Sequence, residues 1–391
     1  QRVKVKSGKV IAQATSNNSG LKKRVREVSR NVYMQLPERY KEKALKVAMK
    51  VRPAWFRHHP AFNQALYEPT IINNSKGTQP VFLSHSNNGT YSFSDRPDEY
   101  VYIPAKKPNY FKDILNEFEV KPLFSIIVPI YNTPLDLLAL MVKSVEDQWY
   151  DNWELVLAND CSPDEETAPA LDALKDPRIK VIHMEKNQGI AGATNIAIEN
   201  ASGDYIVFLD HDDELTQDCL FEFVKCINEE DPDFIYSDED KFTPEGNYSQ
   251  PHFKPDWSPD TMMGTMYTCH AACVRLSTAR QLGGLRTEFN GCQDWDFILR
   301  LSEITQKISH IPKILYHWRI LPASVASDIT AKPYVLAASK AVREAALKRR
   351  GIEGTVEELP GYHGYFRVNY DLRPETLISI IIPTRDNHDV L

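Results

Sequence analysis

Four short apolar runs, at 123–130, 154–158, 179–183 and 205–210, recur along the chain, and segments of helical spacing at 134–147, 163–175 and 189–201 lie between them. The runs are apolar at nearly every position rather than alternately, as strands covered on both faces of a sheet must be. Parallel neighbours need a long crossover connection, which helices of this length supply. The alternation therefore predicts an α/β unit with a mainly parallel, Rossmann-like sheet flanked by helices. "SPDE" at 162–165 reads as a capping box with Pro163 at the first helical position, and Gly203 in "ASGD" reads as a helix stop. After residue 230 the pattern loosens into short strands and a helix near 294–306, and a strong helix at 332–350 closes the unit.

The 391 residues carry a net charge of −7, but residues 1–60 hold 16 Lys/Arg against 3 Asp/Glu. Apolar positions between Leu21 and Trp55 recur at helical spacing on either side of Pro37, which predicts two short basic amphipathic helices. Such helices suit either a solvated cap on the main unit or contact with an anionic membrane surface. No nucleic-acid-binding motif accompanies the charge. No signal-peptide pattern and no run of eighteen apolar residues occurs, so no spanning helix is expected. The six cysteines lack paired spacing and read as free thiols of a reducing compartment. Residues 1–120 thus read as a basic helical and irregular extension, 121–350 as the main domain and 351–376 as a Gly/Pro-punctuated linker. Residues 377–391 repeat 123–137 at a constant offset, with six of fifteen positions identical.

Ligands of an open α/β sheet bind beyond the carboxyl ends of its strands. "FLDHDDEL" delivers Asp210 and Asp212 there, a pair that is costly unless a cation or donors neutralise it. A hard divalent ion, Mg²⁺ or Mn²⁺, takes oxygen ligands and bridges to phosphates; the competing reading is that Asp212, Asp213 and Glu214 favour the N-terminus of a following helix. Asp160, after the second strand, can accept a pyrimidine N3–H or simply shape a turn. "GCQDWDFILRL" sets Asp294 and Asp296 at a helix start, where one can be a general base and the other a helix-end charge. "ILYHWRI" ends a strand in His317 and Arg319, a metal or diphosphate pair or else core residues.

Taken together, "SIIVPIYN", "NWELVLANDCSPD", "GDYIVFLDHDDEL", "IYSDEDK", "FKPDWSPD", "GCQDWDFILRL" and "HIPKILYHWR" resemble the family 2 glycosyltransferases, above all the O-antigen biosynthesis branch with tandem transferase domains. The resemblance spans roughly 120 to 320. It implies the GT-A fold, a UDP- or dTDP-sugar donor (dTDP-rhamnose among the candidates), a divalent metal, a saccharide acceptor carried on lipid, and inversion at the anomeric carbon. It implies a cytoplasmic enzyme, peripheral at the inner face of the bacterial membrane if the basic extension binds there. Carried over by position, Pro129, Tyr131 and Asp160 line the nucleotide pocket, Asp210 and Asp212 form the Asp-x-Asp motif, and Asp294 is the base. Gln293 replaces the Glu that precedes that base in most of the family. His317 joins the metal, Arg319 the diphosphate, and Asp238, Asp240 and Trp257 border the sugar sites. Residues 377–391 then read as the opening strand of a second such domain, and a degenerate GT-A scaffold supporting that domain is the alternative to an active enzyme. Against dinucleotide binding, "PIYNTP" stands where a glycine-rich fingerprint would be.

Overall fold

The computed structural model describes residues 91–93, 100–243, 246–321, 333–360, 365–371 and 375–382. The basic segment 1–60, with its two expected helices and the membrane reading, lies outside them, as do 383–391 of the repeat. Thirteen strands are described: β1 (Tyr91–Phe93), β2 (Tyr100–Tyr102), β3 (Phe124–Ile130), β4 (Trp153–Asn159), β5 (Ile179–His183), β6 (Tyr205–Phe208), β7 (Glu214–Leu215), β8 (Phe234–Phe242), β9 (Tyr248–His252), β10 (Ala272–Arg275), β11 (Ile308–Arg319), β12 (Gly354–Glu358) and β13 (Phe366–Tyr370). Nine of them make one sheet in the order β5-β4-β3-β6-β10-β8-β11-β7, with β9 on β8.

The half containing β3 to β6 is parallel, and its strands fall within two residues of the apolar runs. The other half departs from the expected parallel sheet. β10 runs antiparallel to both β6 and β8, while β11 is parallel to β8, so the sheet is mixed. The reason is the connection. β9 turns back on β8 within a few residues, and the chain reaches β10 through the short helix Pro259–Gly264 rather than through a full crossover.

Alternation across β3 and β4 sorts their side chains between two cores. Ile126, Val128, Leu155 and Leu157 pack under helices Phe111–Glu117, Leu135–Glu146 and Cys219–Glu230. Ile127, Val156 and Ala158 pack under helices Gly189–Asn200, Gln293–Ile304 and Pro333–Arg350. Both faces are covered, which is why the runs carry no polar stripe.

The expected boundaries shift at both ends. Phe111, Ile114 and Phe118 lie in the first core, and Phe111 packs against Trp149 and Phe221, so the last part of the expected extension is built into the domain. The span read as a linker forms the β12–β13 hairpin, whose Val356 and Phe366 enter the second core. The buried Arg343 guanidinium fastens it, between the Trp295 and Phe366 rings at 3.8 and 4.3 Å. Arg343 donates to the carbonyls of Met263, Gly264 and Ser339 and to the Ser339 hydroxyl, which offsets burial without a carboxylate. Residues 377–382 join no strand, and Leu377, Ile378, Ile380, Ile381 and Ile382 are exposed.

Two local signals also resolve differently. The helix read at 163–175 is Thr167–Asp172, because the Ser162 hydroxyl bonds Asn159 and Asn132 instead of capping. Gly203 follows the end of its helix, and a Cβ there would lie 2.5 Å from the Leu123 carbonyl oxygen, so close approach demands the glycine.

Beside it, Glu154 of β4 accepts from the Ser125 hydroxyl at 2.5 Å and from the Ser202 N–H and hydroxyl at 2.6 and 2.7 Å, and pairs with Lys180. Burial would raise this carboxyl, but Lys180 and the serine donors outweigh it and bring it to about 2. A depressed carboxyl stabilises the fold above its ordinary value of 4.5, and the contribution is lost as pH falls toward 2. Glu154→Gln should therefore lower stability by about 2 kcal/mol at pH 7. The gap should narrow at pH 3, as read by denaturant unfolding at the two pH values.

Candidate active site

The loops beyond β3 and β4 are tied to one another, and the loop beyond β6 brings Asp210 near His270 and within electrostatic reach of Asp294 at the start of helix Gln293–Ile304. At the nucleotide side, Tyr131 is exposed and Pro129 half-buried, while Asp160 is buried and accepts the Gln188 N–H at 2.7 Å on Oδ1. Asn159 accepts from the Ser162 N–H and hydroxyl, and the Ser162 oxygen takes the Asn132 N–H at 3.0 Å. These bonds tie the two loops together. Asn132 and Cys161 both hold positive φ, so each loop turns sharply at the strand end.

At the acidic side, the Asp210 side chain is partly exposed and Asp213 is buried. Asp213 accepts the Tyr316 hydroxyl at 2.6 Å and the Arg319 N–H at 2.7 Å. Burial raises the Asp213 carboxyl well above the usual range, with Asp210 and Asp212 adding to the shift. Burial and Asp210 also raise Asp212, against the opposing pull of His211 and Arg319. Asp294 sits in the first helical turn, with Oδ1 taking the Trp295 N–H at 2.8 Å. Its carboxyl is raised by burial and by Asp210, and lowered by the Trp295 N–H and by His270. Asp294, Asp210 and His270 therefore share one site.

His270 had no motif to mark it in the sequence. Ala272 of β10 pairs with Phe208 of β6, so the antiparallel register carries His270, two residues before the one, beside Asp210, two residues after the other. Its Nε2 lies 3.9 Å from Asp210 Oδ2, too long for a hydrogen bond. His211 Nδ1 is likewise 3.9 Å from Asp212 Oδ1 and is buried without a hydrogen-bond partner. Ligand atoms of Asp210, Asp213 and His270 lie within 4.8 Å of one another, the one such group among the described residues. Carboxylate oxygens close to imidazole nitrogens that bond none of them are a donor set that fits a divalent cation.

Four expected site residues are placed elsewhere. The buried His317 Nδ1 pairs with Asp240 Oδ1 at 2.5 Å, and its ring packs on Tyr102 and Tyr248. Arg319 is buried, donating to the Asp212 carbonyl at 2.7 Å and to Glu214, with its guanidinium over Phe242. Alternation explains both: Tyr316 and Trp318 face His270, so His317 and Arg319 must face away. Asp240 is spent on His317 and the Tyr100 hydroxyl, and Asp238 on His310 and the Lys254 N–H. Glu239 between them points the other way and accepts the His270 N–H at 2.8 Å. Trp257 is half-buried near Tyr267. Of the two helix-start acids, Asp296 is fully buried and held by Arg286 and Arg300, whereas Asp294 has no ion pair among the described residues. The buried Gln293 accepts the Gly291 N–H at 2.6 Å, so the residue in place of the usual Glu shapes the turn before Asp294.

His317→Ala should cost about 1–3 kcal/mol, since Asp240 loses its partner. Mn²⁺ affinity, measured by titration against unfolding curves, should not change; weaker Mn²⁺ binding at full stability would return His317 to the cation site.

Residues 125–277 match the family model described as "Glycosyl transferase family 2". An uncharacterized protein, y4gI, of Sinorhizobium fredii (strain NBRC 101917 / NGR234) is 40% identical over 284 residues, 71% of this chain and 31% of its own length. The O-antigen biosynthesis protein RfbC of Myxococcus xanthus is 35% identical over 283 residues, 69% of this chain and 21% of its own. The chain thus spans less than a third of either relative. The crystal structure of S. aureus TarS 1-349 in complex with UDP-GlcNAc is 20% identical, covers 56% of this chain and 65% of its own, and superposes with a TM-score of 0.48. With strand-end carboxylates on a mixed α/β sheet, and with that family model matched across them, the chain belongs to the family 2 glycosyltransferases.

Proposed function

We propose that this chain transfers a sugar from a UDP- or dTDP-sugar to the growing chain of a bacterial surface polysaccharide, with inversion at the anomeric carbon. The observation that carries the reading is the meeting of Asp294 with Asp210 and His270 at the carboxyl end of the sheet. RfbC of Myxococcus xanthus, named for O-antigen biosynthesis, supports the polysaccharide product.

The roles follow from the donors and acceptors each residue has left. Asp160 gives Oδ1 to Gln188, and its other oxygen is suited to the N3–H that uracil and thymine share. Tyr131, exposed at the end of β3, offers a ring face to the base. Asp294 gives Oδ1 to Trp295 and uses Oδ2 to take the proton of the acceptor hydroxyl. As that proton leaves, the acceptor oxygen bonds the anomeric carbon from the face opposite the departing diphosphate, and the bond from that carbon to the phosphate oxygen breaks. The flattened, cationic sugar formed on the way is of the kind met in glycoside hydrolysis. Asp210, Asp213 and His270 would hold Mn²⁺ or Mg²⁺, with Asp212 beside them. When bound, that ion neutralises the charge gathering on the diphosphate, a task for which Arg319, committed to Asp212 and Glu214, is not free. Trp257 is left as the residue bordering the sugar.

Asp294→Asn should lower transfer by about 10²- to 10⁴-fold while calorimetry still shows UDP or dTDP binding with Mn²⁺. Full transfer by the variant would remove Asp294 from the mechanism. A wild-type chain that binds neither nucleotide would favour the scaffold alternative.

The base must be ionised, and burial raises its carboxyl. Activity should therefore fall on the acid side at a pH above the ordinary Asp value of about 3.9. A pH profile of kcat/KM checks this, and the acid limb should move in Asp294→Glu.

A further inference from the structure

We propose that Glu239 and Lys254 form a backbone clamp that holds the His270 imidazole against Asp210 as the nitrogen ligand of the divalent cation. The assignment rests on the cation reading above and goes beyond it, since neither clamp residue touches the reacting groups.

The Lys254 side chain is fully buried. Its ammonium donates to the Thr268 carbonyl at 2.8 Å and to the His270 carbonyl, and pairs with Glu239 Oε2 at 3.2 Å. The same Glu239 oxygen accepts the His270 N–H at 2.8 Å. One ion pair thus grips both polar groups of the His270 backbone.

The ring is oriented from the other side. It stacks on Tyr316 with centroids 4.5 Å apart and 16° between planes, and meets the edge of Trp318 at 5.5 Å. Tyr316 is itself tied to Asp213 through its hydroxyl. Backbone and ring together leave Nε2 aimed at Asp210 Oδ2 across 3.9 Å. That gap suits two ligands of one ion, which stand about 3–4 Å apart when each is about 2.1 Å from the metal. A buried lysine and glutamate devoted to one loop are costly unless the loop's position matters, because desolvating both charges opposes their attraction. Nitrogen at this corner favours a transition-metal ion such as Mn²⁺ over Mg²⁺, which prefers oxygen. Glu239 and Lys254 are positioning residues, acting through His270.

The test is electron spin echo spectroscopy of Mn²⁺ added to the full chain with UDP. The wild type should show nitrogen modulation from one imidazole, and His270→Ala should lose it. Glu239→Gln and Lys254→Met should each weaken Mn²⁺ binding by about 10- to 100-fold. The double variant, which removes both buried charges, keeps the measurement meaningful if either single change unfolds the chain, and circular dichroism confirms folding. Bound Mn²⁺ without nitrogen modulation, or modulation that survives in His270→Ala, would overturn the ligand assignment alone. Clamp variants that are folded and bind Mn²⁺ at wild-type strength would overturn the clamp. No Mn²⁺ bound by the wild type would overturn both this inference and the cation reading beneath it.

Discussion

Burial disfavours charge on Asp212, Asp213 and Asp294, the Asp210 carboxylate adds to it in each case, and the surrounding architecture answers that repulsion. Each acid receives a specific answer. Asp213 is given a tyrosine hydroxyl and a backbone N–H, and Asp294 the N–H of its own helix start. Asp210 is left facing an imidazole too far away to bond it. A binding site of this kind is a deliberate deficit of positive charge. A cation and a nucleotide diphosphate, arriving together, can make it up.

The cost of such a deficit is carried by the frame. β3, β4 and β6 are buried on both faces, and the loops after β3 and β4 are cross-tied at Asn159, Ser162 and Asn132. Behind Asp294, Asp296 is gripped by Arg286 and Arg300, and Trp295 is fastened by its indole N–H to the Met262 carbonyl. Arg343 presses the β12–β13 hairpin onto the same tryptophan. Asp294 therefore stands on a rigid footing, which the role proposed for it would require. It is a footing that includes chain beyond the C-terminal end of the matched 125–277 segment.

Much of this was readable in one dimension. Continuous apolar runs located the parallel strands to within two residues, because a strand buried on both faces leaves no other pattern. Asp210, Asp212, Asp160 and Asp294 could be singled out as candidates because strand ends and helix starts are where such a fold presents polar groups. Four readings met a different environment. His317 and Arg319 read as site residues from the strand they end, and Asp238 and Asp240 from the resemblance. In the structure His317 and Tyr100 engage Asp240, His310 engages Asp238, and Arg319 is held by Glu214 and the Asp212 carbonyl. Period 2 shows that His317 and Arg319 share a face and that Tyr316 and Trp318 share the other. It does not show which face meets the cleft.

The sequence by itself determined the α/β class, the strands that carry the loops, and the acids at their ends, since hydrophobic period and turn chemistry are local properties. Only the tertiary structure decided that β10 enters antiparallel between β6 and β8. That pairing sets Ala272 against Phe208 and so brings His270 to Asp210 across some sixty residues of chain. It also turns Glu239, rather than its two acidic neighbours, toward the site. The physical reason is that a residue's partners across a sheet depend on the register and direction of the neighbouring strand. Those are settled by how the whole sheet buries its faces, and no short stretch of sequence encodes them.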